Sequence, residues 1–305
     1  MWDMTDGAIR NAGAGIVSFV RAKPKRRSAD FDLHGLPETF GRIGTLEIRL
    51  ARTRKDIRKV QRLRYKVFFE QGGAKASRAA LLVRRDICKF DRVCDHLMVI
   101  DHAVRNRLGR PKPKVVGTYR LLRQDVAEQN FGFYSEGEFD IAPMLKRQPG
   151  FRFLELGRSC VLPDYRGKRT LELLWRGIWA YVRHHRIDAM FGCASFDAVQ
   201  PLTLALPLSF LHHHALAEGA WAVQAHQDRA VTMDALDRTA IDARRALASL
   251  PPLIKGYLRV GARFGQGAVV DHEFGTTDVF VVMPIADIEQ RYVEHFTPAI
   301  EAKAA

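Results

Sequence analysis

A strand, a basic turn and a long amphipathic helix follow one another directly between residues 151 and 185. The segment Phe153–Leu162 has the length and mostly apolar character of a strand, and Pro163 ends it. From Thr170 to about His185, apolar side chains recur at i, i+3, i+4 and i+7, which is the spacing of one helix face. The residues of this stripe are Leu171, Leu174, Trp175, Ile178, Trp179 and Val182. Such a helix is stable when its apolar face packs against other elements, so we predict a globular domain.

The pattern also indicates several strands before this helix and both kinds of element after it. We predict further strands at Thr45–Ala51, Leu97–Asp101, Val115–Leu122, Ala189–Ser195, Tyr257–Val260 and Asp278–Met283. We predict further helices from a Thr53 cap to about Glu70, and near 202–216 and 235–249. Consecutive strands before the 170–185 helix favour an α+β fold over a doubly wound sheet. In that fold a mixed, mainly antiparallel central sheet is flanked by helices.

The chain is long and apolar enough for one large domain. Its 305 residues, 47% of them hydrophobic, can bury a full core, which excludes a disordered protein. We predict a flexible basic arm over 1–41 and a single domain over 42–300, with a core at about 45–215 and a C-terminal extension at about 216–300. Four irregularly spaced cysteines indicate a reducing cytoplasm, and the longest uncharged apolar stretch, 198–211, is too short to cross a bilayer.

The excess of positive charge, formally +14, is concentrated in two segments. Residues 42–66 contain ten basic and two acidic residues, and residues 104–123 contain seven basic and no acidic residues. Such patches suggest an acidic partner, which can be nucleic acid, anionic lipid or an acidic protein, although each patch can also be a solvated face. Nucleic acid is the weaker alternative because the patches lack interleaved aromatic residues and any nucleic-acid-binding motif.

The basic turn at the start of the 170–185 helix is a candidate anion site. Free backbone N–H groups and the helix dipole meet cationic side chains there, where a phosphate can bind. The candidate residues are Arg166, Gly167, Lys168, Arg169 and Thr170. A solvated basic turn is the alternative.

This turn resembles the pyrophosphate loop of GNAT-fold acyltransferases, which reads R/Q-x-x-G-x-G/A between a strand and a helix. Arg166 stands at the first position, but Arg169 and Leu171 stand where the two glycines belong. Those glycines let the backbone close on the pyrophosphate of coenzyme A, so their absence argues against a coenzyme A donor. Acyl carrier protein, which is acidic and presents its thioester on phosphopantetheine, suits a looser and more cationic loop.

Other segments narrow the resemblance to relatives that use acyl carrier protein. Matches to acyl-homoserine-lactone synthases lie in FDRVCDH, GTYRLL and ELGR, and comprise Arg64, Phe68, Asp91, Asp95, Arg120, Glu155 and Arg158. LLWRG at 173–177, GCASF at 192–196 and the C-terminal third resemble the ornithine N-acyltransferases. The likeness extends over about residues 43–296.

The resemblance implies a GNAT-like fold, no bound cofactor, and transfer of a 3-hydroxyacyl group from acyl carrier protein to the α-amine of L-ornithine, giving lyso-ornithine lipid. It also implies a cytoplasmic enzyme in peripheral contact with the inner membrane. Alternatives are an S-adenosylmethionine-using enzyme like the lactone synthases, acylation of another amino acid, a nucleic-acid-binding protein, and a non-catalytic acyl-binding module.

Glu155 is the candidate catalytic base or amine-orienting carboxylate. It lies in an otherwise apolar strand, where burial raises the pKa of a carboxyl. A structural ion pair with Arg64 or Arg158 is the alternative. Glu155 and Arg158 are three residues apart and would face opposite sides of a regular strand, so we predict a bulge at Gly157 that brings both to one face.

Three arginines and two aspartates are candidates for binding the acceptor. Arg64, in the apolar stripe of the first helix, needs a carboxylate partner or a water-lined pocket. Arg64, Arg120 and Arg158 can each bind the acceptor carboxylate or brace nearby acids. Asp91 and Asp95 can hold the ornithine side-chain ammonium, or they can order a loop.

The remaining predictions concern docking and metals. The first predicted helix, from Thr53 to about Glu70, is called α1 below. Its residues Arg58, Lys59 and Arg62, defined as the α1 basic triad, are the candidate docking surface for acyl carrier protein. We predict no metal site. The histidine run 212–214 invites a metal interpretation, but adjacent helical residues diverge by 100° around the axis.

Overall fold

A computed structural model describes residues 35–288 of the chain, and 1–34 and 289–305 lie outside the described residues. Most of the predicted arm therefore lies outside them. Of its described part, Leu36 and Phe40 are buried in the hydrophobic core, so the packed chain begins before residue 42. No helix within 35–288 is long and apolar enough to cross a bilayer.

The strands form one mixed, largely antiparallel sheet flanked by helices, which confirms the predicted fold class. The strands are β1 (Gly41–Ile43), β2 (Leu46–Leu50), β3 (Asp95–Asp101), β4 (Lys114–Arg123), β5 (Phe139–Asp140), β6 (Phe153–Val161), β7 (Ala189–Phe196), β8 (Gln224–Ala225), β9 (Ala230–Val231), β10 (Arg263–Asp271) and β11 (Thr276–Pro284). The order is β1-β2-β3-β4-β6-β7-β11-β10-β8-β5, with β9 paired to β10. The C-terminal strands β10 and β11 thus continue the central sheet beside β7.

The helices match the sequence pattern best where that pattern is longest. They are α1 (Arg54–Tyr65, continued by a π-helical turn at Lys66–Glu70), α2 (Arg78–Val83), α3 (Gln124–Glu128), α4 (Ala142–Arg147), α5 (Lys168–His185), α6 (Ala205–Ala215), α7 (Ala243–Ser249) and α8 (Pro252–Arg259). Thr53 caps α1 by accepting from the Asp56 N–H, as predicted. The predicted helix near 235–249 is helical only over α7 and a single turn at Arg238–Ala240.

The predicted strand at Tyr257–Val260 is wrong, because Tyr257 lies in α8. Pro252 occupies the first turn of this helix, where a missing N–H costs nothing. Ile254 and Tyr257, three residues apart, are both buried on its inner face. The strand in this region is instead β10, which starts at Arg263.

Alternation along the strands divides the polar side chains between two faces of the sheet. Leu97 faces α5, since a Cβ added at Gly177 would lie 2.9 Å from its side chain. His96 faces the other way and lies 3.9 Å from Asp91, on the side of α1. His96 pairs with Arg120, and Arg120 pairs with Gly157, so the polar side chains of β3, β4 and β6 can meet on the α1 face.

Strands β6 and β7 run parallel and then separate, which opens the sheet at its centre. Their pairing ends at Glu155 opposite Phe191. Immediately afterwards β6 contains one more residue than β4, and Arg158 adopts a left-handed backbone conformation with φ +48°. The predicted bulge is confirmed, with Arg158 directly after Gly157 as its distorted residue.

Candidate active site

Arg64 is a fully buried guanidinium held by two aspartates. Its Nη1 and Nη2 donate to the two oxygens of Asp91 at 2.8 and 2.7 Å, and its Nε lies 2.8 Å from Asp86 Oδ2. Asp91 also accepts from the Gln61 side chain at 2.9 Å and from the Cys88 N–H at 3.1 Å. The neighbouring Arg64 holds the pKa of Asp91 far below its usual range, against the opposing effect of burial.

This arrangement confirms that Arg64 has carboxylate partners, and it favours the bracing role over direct contact with a substrate. Every nitrogen of its guanidinium contacts an oxygen of Asp86 or Asp91. Removing one partner of such a buried pair costs about 3–5 kcal/mol, because the other charge stays buried. The pair therefore fixes α1 against the 86–91 segment beside the opening between β6 and β7.

Glu155 lies at that opening, 3% exposed, and accepts three hydrogen bonds from the segment before β5. Its Oε2 accepts from the Tyr134 N–H at 2.9 Å, and its Oε1 accepts from the Ser135 N–H at 2.7 Å and the Ser135 hydroxyl at 2.6 Å. The predicted structural alternative, an ion pair with Arg64 or Arg158, is not what holds it. Burial raises the pKa of Glu155, although the Ser135 hydroxyl opposes the shift.

Arg158 and Arg120 flank the ring of Tyr134. Their guanidinium carbons lie 4.8 and 5.1 Å from its centroid, and Arg158 also stacks 4.4 Å from the ring of Phe274. Arg158 Nε is 3.6 Å from Asp86 Oδ2, whereas Arg120 Nη1 is buried with no hydrogen-bond partner. Glu155, Arg158 and Arg120 therefore lie together around Tyr134, where two buried donors, Arg120 Nη1 and Arg158 Nε, have no hydrogen-bond partner.

Asp91 and Asp95 lie on opposite faces of the sheet. Asp95 accepts from the Tyr181 hydroxyl at 2.7 Å and lies 3.6 Å from Arg123, on the α5 side. Asp91 is on the α1 side with Arg64. The structure does not bring the two carboxylates together, and their roles in acceptor binding stay predictions.

The candidate anion site at residues 166–170, called the anion loop from here on, lines an open cleft of about 450 Å³. Gly167 caps α5, and the helix begins at Lys168. Residues of the loop that line the cleft are Gly167, Lys168, Arg169 and Thr170, and they face Asp101, Asp164 and Tyr165. Arg166 is outside this lining and donates to the Val161 carbonyl at 3.1 Å. The Tyr165 hydroxyl donates to Asp101, so this carboxylate in the cleft already has a hydrogen-bond partner.

The α1 basic triad is on the solvent side of its helix. Arg58 and Arg62 are exposed, and Lys59 is half-buried and 3.4 Å from Asp56. The second basic segment forms the exposed tip of the β3–β4 hairpin, whereas of its last two arginines Arg120 is buried and Arg123 is half-buried. One of these, Arg120, belongs to the candidate active site. The tip and the triad together leave two basic surfaces in contact with solvent.

Five residues at this opening were missed by sequence reasoning. They are Asp86, Tyr134, Ser135, Glu138 and Asp278. Asp278 lies on the same face of the sheet as Glu155. Glu155 pairs with Phe191 on β7, and Ser195, four residues after Phe191, points to the same face. Ser195 in turn pairs with Asp278 on β11. Only long-range pairing places it there. The aromatic, glycine and acidic composition of 131–140 was the one local signal for Tyr134, Ser135 and Glu138.

Within the described residues, His212 and His213 lie close to Asp234. Their Nε2 atoms are 3.8 and 2.9 Å from its carboxylate oxygens, although adjacent helical residues were expected to diverge. His213 Nε2 also contacts the Leu236 carbonyl at 3.0 Å. The exposed Asp234 accounts for both histidines as a surface contact, far in sequence from the candidate active site.

Comparison with known proteins gives both the fold and the family. Residues 63–176 match the family model described as acetyltransferase (GNAT) domain. The chain is 54% identical over 257 residues to the L-ornithine N(alpha)-acyltransferase of Agrobacterium fabrum, covering 84% of this chain and 87% of that protein. It is 53% identical over 259 residues to the L-ornithine N(alpha)-acyltransferase of Rhizobium meliloti, covering 85% and 86%.

Among solved structures, the chain is similar to FeeM, an N-acyl amino acid synthase from uncultured soil microbes. The two are 8% identical, with a TM-score of 0.44, over 79% of this chain and 91% of that one.

Proposed function

The chain belongs to the L-ornithine N(alpha)-acyltransferase family, and from that membership we propose that it moves a 3-hydroxyacyl group from acyl carrier protein to the α-amine of L-ornithine. The product is then lyso-ornithine lipid. The observation that supports this assignment most is the identity above 50% to two such enzymes over more than four fifths of the chain. The convergence of Glu155, Arg120 and Arg158 at the opening of the sheet supplies groups for the chemistry.

The reaction moves an acyl group from the thioester sulfur to the amine nitrogen. The α-ammonium of ornithine first loses a proton, and the amine nitrogen then forms a bond to the thioester carbonyl carbon as the carbonyl π electrons move to oxygen. Collapse of this oxyanion breaks the C–S bond, the second proton leaves the nitrogen, and the phosphopantetheine sulfur leaves as a thiolate that takes up a proton. The protein must therefore accept protons near the amine and stabilise negative charge near the carbonyl.

We assign Glu155 to the amine. Oε2 accepts one hydrogen bond, from the Tyr134 N–H, and a carboxylate oxygen has room for a second. Its raised pKa makes the carboxylate a stronger base than an exposed one. Arg120, whose Nη1 has no partner, and Arg158 are assigned to the acceptor carboxylate.

We assign the anion loop to the phosphodiester of phosphopantetheine and the α1 basic triad to the acidic surface of the carrier protein. The loop presents the N-terminus of α5 together with Lys168 and Arg169. Arg169 stands where a glycine would let the backbone close on a pyrophosphate, so we infer that one phosphate is preferred to two.

We also propose a peripheral contact with anionic lipid at the α2 surface. We define this surface by four exposed apolar side chains, of which Leu81, Leu82 and Val83 lie in α2 and Ile87 follows it, and Leu82 is 86% exposed. Two exposed arginines flank them, Arg84, which pairs with Glu70, and Arg78, whose charge suits an anionic membrane. Leu82→Asp should reduce co-sedimentation with phosphatidylglycerol vesicles several-fold, whereas the exposed Leu247→Asp should not. Equal binding by both variants would exclude this surface.

One assay tests the proposed function. The protein is incubated with 3-hydroxyacyl carrier protein or 3-hydroxyacyl coenzyme A and with a panel of amino acids, with and without S-adenosylmethionine, and the products are identified by mass spectrometry. We expect an ornithine conjugate from the carrier-protein donor. Absence of that conjugate refutes the acceptor, efficient use of coenzyme A refutes the loop assignment, and an acyl-homoserine lactone supports the lactone-synthase alternative.

A further inference from the structure

Three carboxylates converge beside the candidate active site, one from the segment before β5 and two from the β10–β11 hairpin. Glu138 precedes β5, Asp271 ends β10, and Asp278 lies in β11. One carboxylate oxygen from each lies within 4.8 Å of the others. We call this group the acidic pocket.

Glu138 is buried without the partners that such a group requires. Glu138 is only 4% exposed, and its Oε2 has no hydrogen-bond partner. Burying an unpaired polar oxygen is unfavourable, and burying an unpaired charge is more so. This orphaned oxygen therefore points to a ligand that donates hydrogen bonds and carries positive charge.

The contacts of the other two carboxylates do not supply the missing positive charge. Asp278 Oδ1 accepts from the Thr276 hydroxyl at 2.9 Å, and Asp271 Oδ1 accepts from two backbone N–H groups of its own turn. These are neutral donors, which orient the carboxylates without neutralising them. Arg229 acts on Glu138 only at a distance, and Arg158 likewise on Asp278.

The acidic pocket is linked to Glu155 through one hydroxyl. The Ser135 hydroxyl donates to Glu155 at 2.6 Å and accepts from the Cys193 thiol at 3.4 Å. Cys193 lies against Glu138, and Ser195, two residues on along the same face of β7, lies opposite Asp278. The pocket and the proposed base are therefore neighbours on one face of the sheet.

We propose that the acidic pocket binds the terminal ammonium of the acceptor's side chain, an inference that rests on the proposed function. Ornithine carries one positive charge more than an amino acid with a neutral side chain, and that charge sits a few methylene groups from the reacting amine. A primary ammonium has three N–H donors, enough to reach Glu138 Oε2 and both aspartates. The sequence-based candidates, Asp91 and Asp95, are engaged by Arg64 and Tyr181 instead.

The test compares two acceptors that differ at the ammonium. Ornithine is measured against norvaline, which has the same carbon chain without the terminal amine, for wild type, Glu138→Gln and Asp278→Asn. Glu136→Gln is the matched control, since Glu136 lies in the same turn and is exposed. We expect wild type to prefer ornithine by 100-fold or more in kcat/KM, and each pocket variant to reduce that preference at least 10-fold. The KM for the acyl donor should stay within about twofold.

Each outcome separates the inference from the function it rests on. If wild type does not acylate ornithine, the proposed function fails. If wild type acylates ornithine and the pocket variants, folded by circular dichroism, keep the full preference over norvaline, the acidic pocket is refuted. A requirement for Ca²⁺ or Mg²⁺ that EDTA reveals in wild type and that Glu138→Gln loses would show a metal site and would also refute it. If neither variant folds, the preference of the wild type for ornithine over norvaline decides. A preference below 10-fold is incompatible with a dedicated ammonium site.

Discussion

Replacing Glu138 with glutamine should stabilise the folded protein at alkaline pH. Burial, reinforced by the negative charges of Asp278 and Asp271, raises the pKa of Glu138 to about 7, against opposing effects of Cys193 and Arg229. The folded chain thus binds this proton more tightly than the unfolded chain, in which the pKa is ordinary. The associated stability is fully present below about pH 4.5 and is lost progressively as the pH rises to about 7.

The magnitude follows from the size of the shift. Each pKa unit corresponds to about 1.4 kcal/mol, so a shift from 4.5 to about 7 corresponds to about 3 kcal/mol at pH 8. Glutamine resembles the protonated carboxyl in shape and cannot ionise. Glu138→Gln should therefore unfold with nearly the wild-type free energy at pH 5 and with a free energy up to about 3 kcal/mol higher at pH 8.

Urea unfolding followed by tryptophan fluorescence at pH 5 and pH 8 measures both values. Glu136→Gln, an exposed substitution in the same turn, controls for the loss of one negative charge and should change neither. The reasoning is refuted if Glu138→Gln is less stable than wild type at pH 8, or if its difference from wild type is the same at both pH values. A variant that is more stable and yet discriminates poorly between ornithine and norvaline would show that the carboxyl is kept for binding.

Two further perturbations test other parts of the structure. Charge reversal of the α1 basic triad to glutamate should raise the KM for acyl carrier protein at least 10-fold and leave the KM for ornithine within twofold. Reversal of the exposed Arg244 and Arg245 on α7 should change neither KM. Equal effects on the KM values of both substrates would rule out a docking role. Gly192→Ala should lower the free energy of unfolding by roughly 1–3 kcal/mol, because the added Cβ would lie 2.2 Å from the Leu156 carbonyl oxygen where β6 and β7 separate. Gly73→Ala is the control in the same thermal melt and should be near neutral, because a Cβ added there has no heavy atom within 4 Å.

Local patterns were sufficient for the elements that carry the site and for one of its contacts. The Thr53 cap of α1 and the apolar stripe of α5 are encoded within single helices. The cap is present as predicted, and the stripe is buried from Leu174 onward, whereas Leu171, in the first turn of α5, is exposed. The need of Arg64 for a carboxylate also followed from its place in an apolar stripe, since a buried guanidinium has few alternatives. The identity of one partner, Asp86, did not follow, because it depends on how the 86–91 segment folds over α1.

Two expectations failed for different physical reasons. The short apolar run around Tyr257 predicts a strand, but such a run does not distinguish a strand from one turn of a buried helix. The structural explanation of Glu155 was sought among charged residues, whereas its partners are the backbone N–H groups at positions 134 and 135 and one hydroxyl. Backbone donors have no sequence signature.

The separation of charge on the α1 face gives the proposed acceptor a single orientation. Arg120 and Arg158 contact the ring of Tyr134, and Glu138 and Asp278 belong to the acidic pocket, which Cys193 links to Ser135. Glu155 accepts hydrogen bonds from both Tyr134 and Ser135. An acceptor whose carboxylate meets the arginines and whose terminal ammonium meets the acidic pocket must present its α-amine near Glu155. A reversed acceptor would place like charges together at both ends, which is unfavourable in a buried site. The same two contacts that select a diamino acid would thus also select which of its two amines is acylated.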